Sequence, residues 1–414
     1  MTLQIGLLGR KLGHSYSPEI HGLLGDYAYN LYEREEAEIE ALLRNPEIAG
    51  LNVTIPYKKT VIPFLDELSD AARAMGSVNT IVRREDGSLY GDSTDPYGFR
   101  AMVRHSGISV ENRKTLVLGN GGAAAAVLPV LSELGAKTVV ISRKGEDNYG
   151  NLDRHKDAEV IVNTTPVGMY PNTGESPVDL SRFPQLKGVL DIVYNPVRTA
   201  LCMQAEALGI PFESGLYMLV GQAKRSSELW TGKTISDEVT DRVFHILSME
   251  KQNIVLVGMP GAGKSTIAAE LGKALHREVL DSDAEITVRT GKRPSEIINE
   301  QGEPAFRKIE SEVLRDLGKL SGKIIACGGG VVTREENYPS LHGNGKIVWI
   351  RRPLADLARS DRPLSARIGV EELFRVREPL YRRFSDIVID VAENPQKTCD
   401  LILEALQLKG SNKE

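Results

Sequence analysis

Cysteine is scarce in this chain: three occur in 414 residues, Cys202, Cys327 and Cys399, and no two stand in a C-x-x-C spacing. That excludes a disulfide framework and a zinc ribbon, and it suits a reducing compartment. No apolar run approaches the ~18 residues of a membrane span, and the N-terminal MTLQIGLLGRKLGHSYSP has no basic stretch leading into a long apolar one. A cytoplasmic chain with no membrane partner is therefore expected. An excess of positive charge is missing too. Lys and Arg number 51 against 56 Asp and Glu, a formal net charge of −5, whereas a chain built to grip nucleic acid is basic. Internal repeats and low-complexity tracts are absent. What is present is ordinary in composition, 41% hydrophobic and 26% charged, and at about 150 residues per domain the length predicts two or three domains.

Two Gly-rich turns after apolar runs organise the chain: TLVLGNGGAAAAV at 115–127 and NIVLVGMPGAGKST at 253–266. Each reads as strand, phosphate loop, helix. Short apolar strands follow each turn (VVIS, EVIVNTTP, GVLDIVY; then EVLDSD, KIIACGGG, KIVWIRR), separated by helical stretches. This is the βαβ rhythm of parallel sheets, so the fold class is α/β. The first ~100 residues form a further unit with strands LQIGLLG, GLNVTIP and VNTIVRR. The expected domains are 1–99, completed by helices at 216–247; 100–215; a polar linker at 248–252; and 253–414. The two halves are expected to fold independently on either side of residue 250.

The first turn, Gly119-Asn120-Gly121-Gly122-Ala123, opens an alanine-rich helix, and its small residues let the backbone approach a pyrophosphate at the helix N-terminus. A doubly wound sheet uses the same turn without a ligand, so the turn alone leaves both readings open. The end of the next strand adds information. Where an NAD-binding chain carries an acidic residue for the ribose hydroxyl, Ser142, Arg143 and Lys144 stand here. A guanidinium beside a hydroxyl suits a 2′-phosphate that a carboxylate would repel, so NADP(H) is expected rather than NAD. The alternative is a solvated, charged strand end.

The motifs GLLGRKLGHSYSPEIH, GLNVTIPYKK, GSVNTI, GDSTDPYGF, the GNGGA turn, NTTPVGM, LDIVYNP and GLYMLVGQA follow one another in the first 250 residues. In this order they resemble shikimate dehydrogenase. The resemblance implies an α/β substrate domain joined to a Rossmann-like NADP domain. By the same resemblance Ser15 and Ser17 hold a substrate carboxylate near Tyr194, Thr54, Asn79 and Gln222 contact ring hydroxyls, Gly215 borders the cofactor, and Lys58 with Asp95 forms the catalytic pair. Reducing a ring ketone needs a hydride from nicotinamide and a proton for the developing alkoxide, which a Lys ammonium beside a carboxylate can supply and regain. Ser93 and Pro96 stand where the family often has Asn and Gly, Ala125 where many members have Arg or Lys, and Ser-Arg-Lys replaces a common Asn-Arg-Thr. The Lys58–Asp95 pair is kept.

The second turn, GMPGAGKS at 258–265, is a full G-x-x-x-x-G-K-[ST] between an apolar strand and a helix. Gly258, Gly261, Ala262, Gly263 and Thr266 would set backbone around phosphates, Lys264 would reach the β/γ oxygens, and the Ser265 hydroxyl would bind Mg2+. ATP is the expected nucleotide, since no NKxD stretch appears, and the short remaining segment favours a compact metabolite kinase. Downstream, VLDSDAEI, GEPAFRKIE, ACGGGVV, DRPLS and VREPLYRR resemble shikimate kinase. That resemblance implies a P-loop α/β/α domain with a parallel sheet. It implies that Asp283 orients and deprotonates the attacking hydroxyl and that Asp281 supports the magnesium shell through water. Arg307 and Arg377 fork onto the substrate carboxylate, Gly328, Gly329 and Gly330 let the ring lie against backbone, and Arg362 comes down with a lid. Planar carboxylates select Arg over Lys, and phosphoryl transfer needs positioning plus cations. Taken singly, Arg307 could be a helix-surface partner of Glu310 or Glu303, and the three glycines a strand-end turn. The stretch PLADLARSDRPLS is shorter than the family's usual lid, and Arg383 and Ser385 replace a common Glu and Ala.

Together the two resemblances predict a bifunctional enzyme of aromatic amino acid biosynthesis: 3-dehydroshikimate plus NADPH gives shikimate, and shikimate plus ATP gives shikimate 3-phosphate. Its partners are then small molecules, and the chain is a monomer or homodimer. Two readings compete. One makes the second half a nucleotide-binding regulatory module without turnover, which intact Lys264, Ser265, Asp283, Arg307 and Arg377 disfavour. The other is a quinate/shikimate dehydrogenase using NAD, which Arg143 disfavours.

Overall fold

The computed structural model describes residues 4–13, 15–357 and 369–408. Among them no helix is long and apolar enough to cross a membrane, and Cys202, Cys327 and Cys399 are buried. The chain divides into two compact units. The first holds Met1–Gly168, Glu175–Tyr194 and Gln204–Leu247; the second holds Met169–Gly174, Asn195–Met203 and Ser248–Glu414.

The first unit contains two sheets. One has six strands in the order Ala28–Glu33, Gln4–Gly9, Ile48–Val53, Thr80–Arg83, Leu89–Asp92, Glu67–Leu68. Thr80–Arg83 runs antiparallel to both neighbours, with Gly50 opposite Val82 and Ile81 opposite Gly91, while the other pairings are parallel. Leu8, Leu51, Val53 and Ile81 bury one face against Ile39 and Leu43, as strand alternation requires. Helices Leu216–Thr231 and Asp237–Lys251 return to helix Ser17–Leu24 through Ile20, Leu216, Val220 and Val243. Trp230 Nε1 donates to Ile81 O at 2.9 Å and ties the first of these helices to the sheet.

The other sheet of this unit is parallel throughout, in the order Phe212–Ser214, Gly188–Asp191, Val160–Asn163, Lys114–Leu118, Lys137–Ile141. Chain order reverses beside Lys114–Leu118, and a crevice at the carboxyl ends of strands forms at such a switch point. The second unit repeats the device with the parallel order Val279–Asp281, Ile324–Ala326, Asn253–Val257, Gly345–Arg351, Ile387–Asp390, reversing beside Asn253–Val257. Both Gly-rich turns therefore leave the strand at which their sheet reverses.

Two expectations about domain limits need correction. Residues 248–252, read as a linker, are helical up to Lys251, because Met, Glu and Lys are good helix formers that simply prolong the preceding helix. Residues 195–203, placed with the dinucleotide domain from sequence, count with the second unit. Hydrogen bonds account for this: Val197 N donates to Asn344 Oδ1 at 3.0 Å and Arg198 N to Gly343 O at 2.8 Å. The buried Arg198 Nη1 donates to His342 O at 2.7 Å and Gly345 O at 3.2 Å. A cation is thus placed at the C-terminal end of helix Asn337–His342, where carbonyls lack helical partners.

Candidate active sites

In the first unit a cavity of about 430 Å³ is lined together by Ser15, Ser17, Thr54, Lys58, Asn79, Asp95, Tyr194 and Gln222. Asp95 opens helix Asp95–Ser106, with Thr94 at the N-cap and Pro96 in the first turn. The fixed φ of proline suits that position, and a carboxylate there meets the positive end of the helix. Pro96 thus leaves Asp95 well aimed: its Oδ2 accepts from Lys58 Nζ at 2.7 Å and its Oδ1 from Asn79 Nδ2 at 2.8 Å. The Lys58 and Asp95 side chains are 31% and 21% exposed, shielded enough to hold the pair and open enough to meet a ligand. Ser17 begins helix Ser17–Leu24, and Ser15 Oγ accepts from its N–H at 3.2 Å. Two hydroxyls at a helix N-terminus favour an anion. Burial raises the Tyr194 phenol, which therefore stays protonated as a donor at the same wall.

At the dinucleotide turn Gly119 has φ +102°, and a Cβ there would stand 2.9 Å from Thr164 Oγ1, so glycine alone fits. A Cβ on Gly121 or Gly122 would meet nothing within 4 Å, which leaves their backbone open for approach ahead of helix Gly122–Glu133. Ser142 is buried at the end of Lys137–Ile141, while Arg143 and Lys144 are exposed. Leu118 pairs with Ile141 and Asn163, and Asn163 with Asp191. The turn, Ser142–Lys144 and the cavity-lining Ile192 consequently stand at the carboxyl edge of one sheet. Gly215 lines the cavity itself, packed against Ile192 O where a Cβ would collide.

In the second unit Gly258, Gly261 and Gly263 have positive φ, +148°, +83° and +91°, which bends the turn into a cradle of N–H groups. Lys264 Nζ donates to Gly258 O at 2.9 Å and Met259 O at 3.0 Å. Ser265 Oγ donates to Asp281 Oδ2 at 2.8 Å, and Asp281 Oδ1 caps helix Ser282–Thr290 through Asp283 N at 2.9 Å. A hydroxyl and a carboxylate beside a phosphate loop fit a magnesium ion that draws its other ligands from phosphate and water. Among the described residues no group of three or more His, Cys, Asp or Glu side chains forms a metal cage.

Next to this turn a cavity of about 390 Å³ is lined by Asp283, Arg307, Glu310, Gly329, Gly330 and Arg377 among others. Arg307 does pair with Glu303 at 3.0 Å and Glu310 at 2.7 Å, yet its side chain is only 8% exposed, so the pairing builds the cavity wall rather than a helix surface. Arg377 Nη1 donates to Gly329 O at 3.3 Å, and Tyr381 OH donates to the same carbonyl. Gly328 lies where a Cβ would stand 2.9 Å from Asp283 Oδ1 and 3.0 Å from Glu310 Oε1. Arg362, expected on the lid, lies outside the described residues.

Sequence reasoning gave Glu310 only a surface role. Burial pushes its carboxyl up against the pull of Arg307, and among the described residues its Oε1 has no hydrogen-bond partner. A glutamate three residues after Arg307, on the apolar face of helix Glu303–Gly318, was the available signal. Asn52 and Lys11 line the first cavity and were likewise not singled out.

Comparison with known proteins finds two family models on this chain: a shikimate dehydrogenase substrate binding domain at residues 7–81 and shikimate kinase at residues 260–407. A shikimate dehydrogenase (NADP(+)) of Clostridium perfringens is 37% identical over 264 residues, covering 58% of this chain and 97% of that protein. Among solved structures, a chorismate mutase/shikimate 5-dehydrogenase fusion protein from Clostridium acetobutylicum matches with TM-score 0.56 and 38% identity, over 60% of this chain and 97% of its own. The shikimate 5-dehydrogenase of Thermus thermophilus, in complex with NADP(H) and shikimate, matches with TM-score 0.54 and 28% identity, over 59% of this chain and 99% of its own.

Proposed function

Because the chain belongs to the shikimate dehydrogenase family and carries a shikimate kinase domain behind it, we propose that it reduces 3-dehydroshikimate with NADPH in the first unit and phosphorylates shikimate with ATP in the second. NADPH supplies the hydride. In the first cavity Ser15, Ser17 and Tyr194 hold the acid's carboxylate, while Thr54, Asn79 and Gln222 meet ring oxygens. Lys58 Nζ gives its proton to the alkoxide as it forms, and Asp95 keeps the ammonium aimed. The 2.7 Å Lys58–Asp95 pair on the cavity wall is the observation that carries this reading. Gly119–Ala123 receive the pyrophosphate, Ser142 and Arg143 the 2′-phosphate, with Lys144 adding charge, and Gly215 leaves room beside the ring.

In the second unit ATP with Mg2+ supplies the phosphoryl group. Lys264, Ser265 and the backbone of 258–266 hold the phosphates, with Asp281 behind Ser265. Arg307 and Arg377 clamp the shikimate carboxylate against Gly328–Gly330, and Asp283 takes the proton of the attacking hydroxyl. Glu310 holds Arg307 in place. Three buried cysteines suit the reducing cytoplasm as the site of action, with the chain working as a monomer or homodimer on small-molecule substrates. Purified protein given 3-dehydroshikimate, NADPH and Mg-ATP should oxidise NADPH and accumulate shikimate 3-phosphate. NADPH left untouched overturns the first assignment, and shikimate that is never phosphorylated overturns the second.

A further inference from the structure

Behind the ring-facing wall of the first cavity lies a buried polar chain with no part in the steps above. Asn52 Oδ1 accepts from His21 Nε2 at 3.0 Å and from Tyr29 OH at 2.8 Å. His21 is fully buried and its pKa is held down to about 3, so it is neutral. Tyr27 OH lies 2.7 Å from Nδ1 and fills that nitrogen as donor, leaving the ring hydrogen on Nε2 for Asn52. With its oxygen occupied on both sides, the Asn52 amide must turn Nδ2 inward, where it donates to Ser226 Oγ at 2.9 Å and Thr80 Oγ1 at 3.3 Å.

Ser226 and Thr80 are both 0% exposed, so each hydroxyl directs its one proton inside this group. Ser226 Oγ is 2.7 Å from Thr80 Oγ1, a contact in which either hydroxyl can donate, and 3.1 Å from Gln222 O; with the Ser226 proton on Thr80 the chain runs on to Asn79. Thr80 Oγ1 then donates to Asn79 Oδ1 at 3.1 Å, which also accepts from Thr94 N at 2.8 Å. Thr94 Oγ1 stands 3.2 Å from the same Asn79 oxygen and 3.3 Å from Gln222 Oε1, between the two amide oxygens at the wall. The nitrogens are left for the cavity. Asn79 Nδ2 places one hydrogen on Asp95 Oδ1 at 2.8 Å, and the other has only Gln222 Oε1 at 3.4 Å, a poor partner. Gln222 Nε2 places one hydrogen on Leu219 O at 3.1 Å and keeps the second.

We propose that Thr80 and Ser226 are positioning residues that help lock the Asn79 amide with N–H toward the cavity, so that the wall selects acceptor oxygens on the ring. Without the Thr80 proton the Asn79 oxygen keeps only its Thr94 donors, so the amide is held less firmly and its free N–H is aimed less well at the substrate. The proposal rests on the dehydrogenase reading of this cavity.

The test is steady-state reduction of 3-dehydroshikimate by the full chain. Thr80→Val and Ser226→Ala should each raise the KM for 3-dehydroshikimate about fivefold to tenfold, the loss of one hydrogen bond. The fall in kcat should be smaller and the KM for NADPH unchanged. Thr80→Ser, which restores the hydroxyl, should recover the wild-type KM. A purely structural role would reduce the folded fraction, lowering apparent kcat and leaving KM where it was. Wild-type KM in both Thr80→Val and Ser226→Ala, or a Thr80→Ser enzyme as poor as Thr80→Val, would overturn the proposal. A wild-type chain that does not oxidise NADPH overturns the dehydrogenase reading instead, before any variant is compared.

Discussion

A lysine ammonium 2.7 Å from a carboxylate could be a mere ion pair; its place among Ser15, Asn79 and Gln222 on the cavity wall is what supports the proposed role as a proton donor to a ring oxygen. Lys58→Ala should therefore cut dehydrogenase turnover by ~10²-fold or more while NADPH binding stays near wild type. Retention of a tenth of the rate, measured by NADPH oxidation, would remove Lys58 from that role. Arg143 is exposed, so the 2′-phosphate contact proposed for it would be partly screened and belongs at the low end of the ~1.5–3 kcal/mol of a charged hydrogen bond. Arg143→Ala should weaken NADPH while sparing NADH, and equal losses for both would end the NADP argument. Asp283→Asn should stop phosphoryl transfer yet still bind ATP, which equilibrium binding can check. The residues proposed to react in both cavities were legible because they sit in ordered motifs. Glu310, Asn52, Ser226 and Thr80 as a hydroxyl relay were not, since their roles depend on partners distant in sequence and on burial that no local pattern encodes.

Strands and helices were legible where apolar runs are dense. Gln4–Gly9, Lys114–Leu118, Asn253–Val257 and Gly345–Arg351 are nearly all buried and read plainly. Ala28–Glu33 lies at a sheet edge with exposed residues at most positions and gives no such run, and Ile387–Asp390, at another edge, offers an apolar run of only three residues. Helix Ser17–Leu24 carries a further consequence through His21. Unfolding lets that imidazole bind a proton below its ordinary value of 6.5, whereas in the folded chain it does so only near 3. The first unit should thus lose stability as pH falls from 6.5 toward 3, by about 2 kcal/mol at pH 5. Thermal midpoints taken across that range should fall more steeply for the wild type than for His21→Gln. Parallel curves would show that His21 is not the group responsible.

At the scale of the whole molecule, the units divide at Leu247 and Ser248, but the return of residues 169–174 and 195–203 to the second unit was not legible in the sequence, because the decisive contacts are made by a short segment. Val197 and Arg198 occupy Asn344 Oδ1 and the carbonyls of His342, Gly343 and Gly345, acceptors that residues 251–414 alone would leave without these donors. Arg198→Ala removes charged hydrogen bonds of ~1.5–3 kcal/mol each from a buried site, enough to lower the temperature of kinase inactivation by roughly 5–10 °C. Heating the full chain and assaying both activities should show that drop for the kinase, and an unchanged kinase midpoint would make Arg198 dispensable to its unit.

That one chain houses two separate chemistries on the same acid is tested most directly by crossing the two site variants in one assay of the full-length protein, supplied with NADPH, Mg-ATP and either 3-dehydroshikimate or shikimate. Lys58→Ala should leave 3-dehydroshikimate unreduced but phosphorylate added shikimate at the wild-type rate, and Asp283→Asn should reduce 3-dehydroshikimate normally and stop at shikimate. Either substitution silencing both reactions, or neither silencing its own, would contradict the assignment of one reaction to each unit.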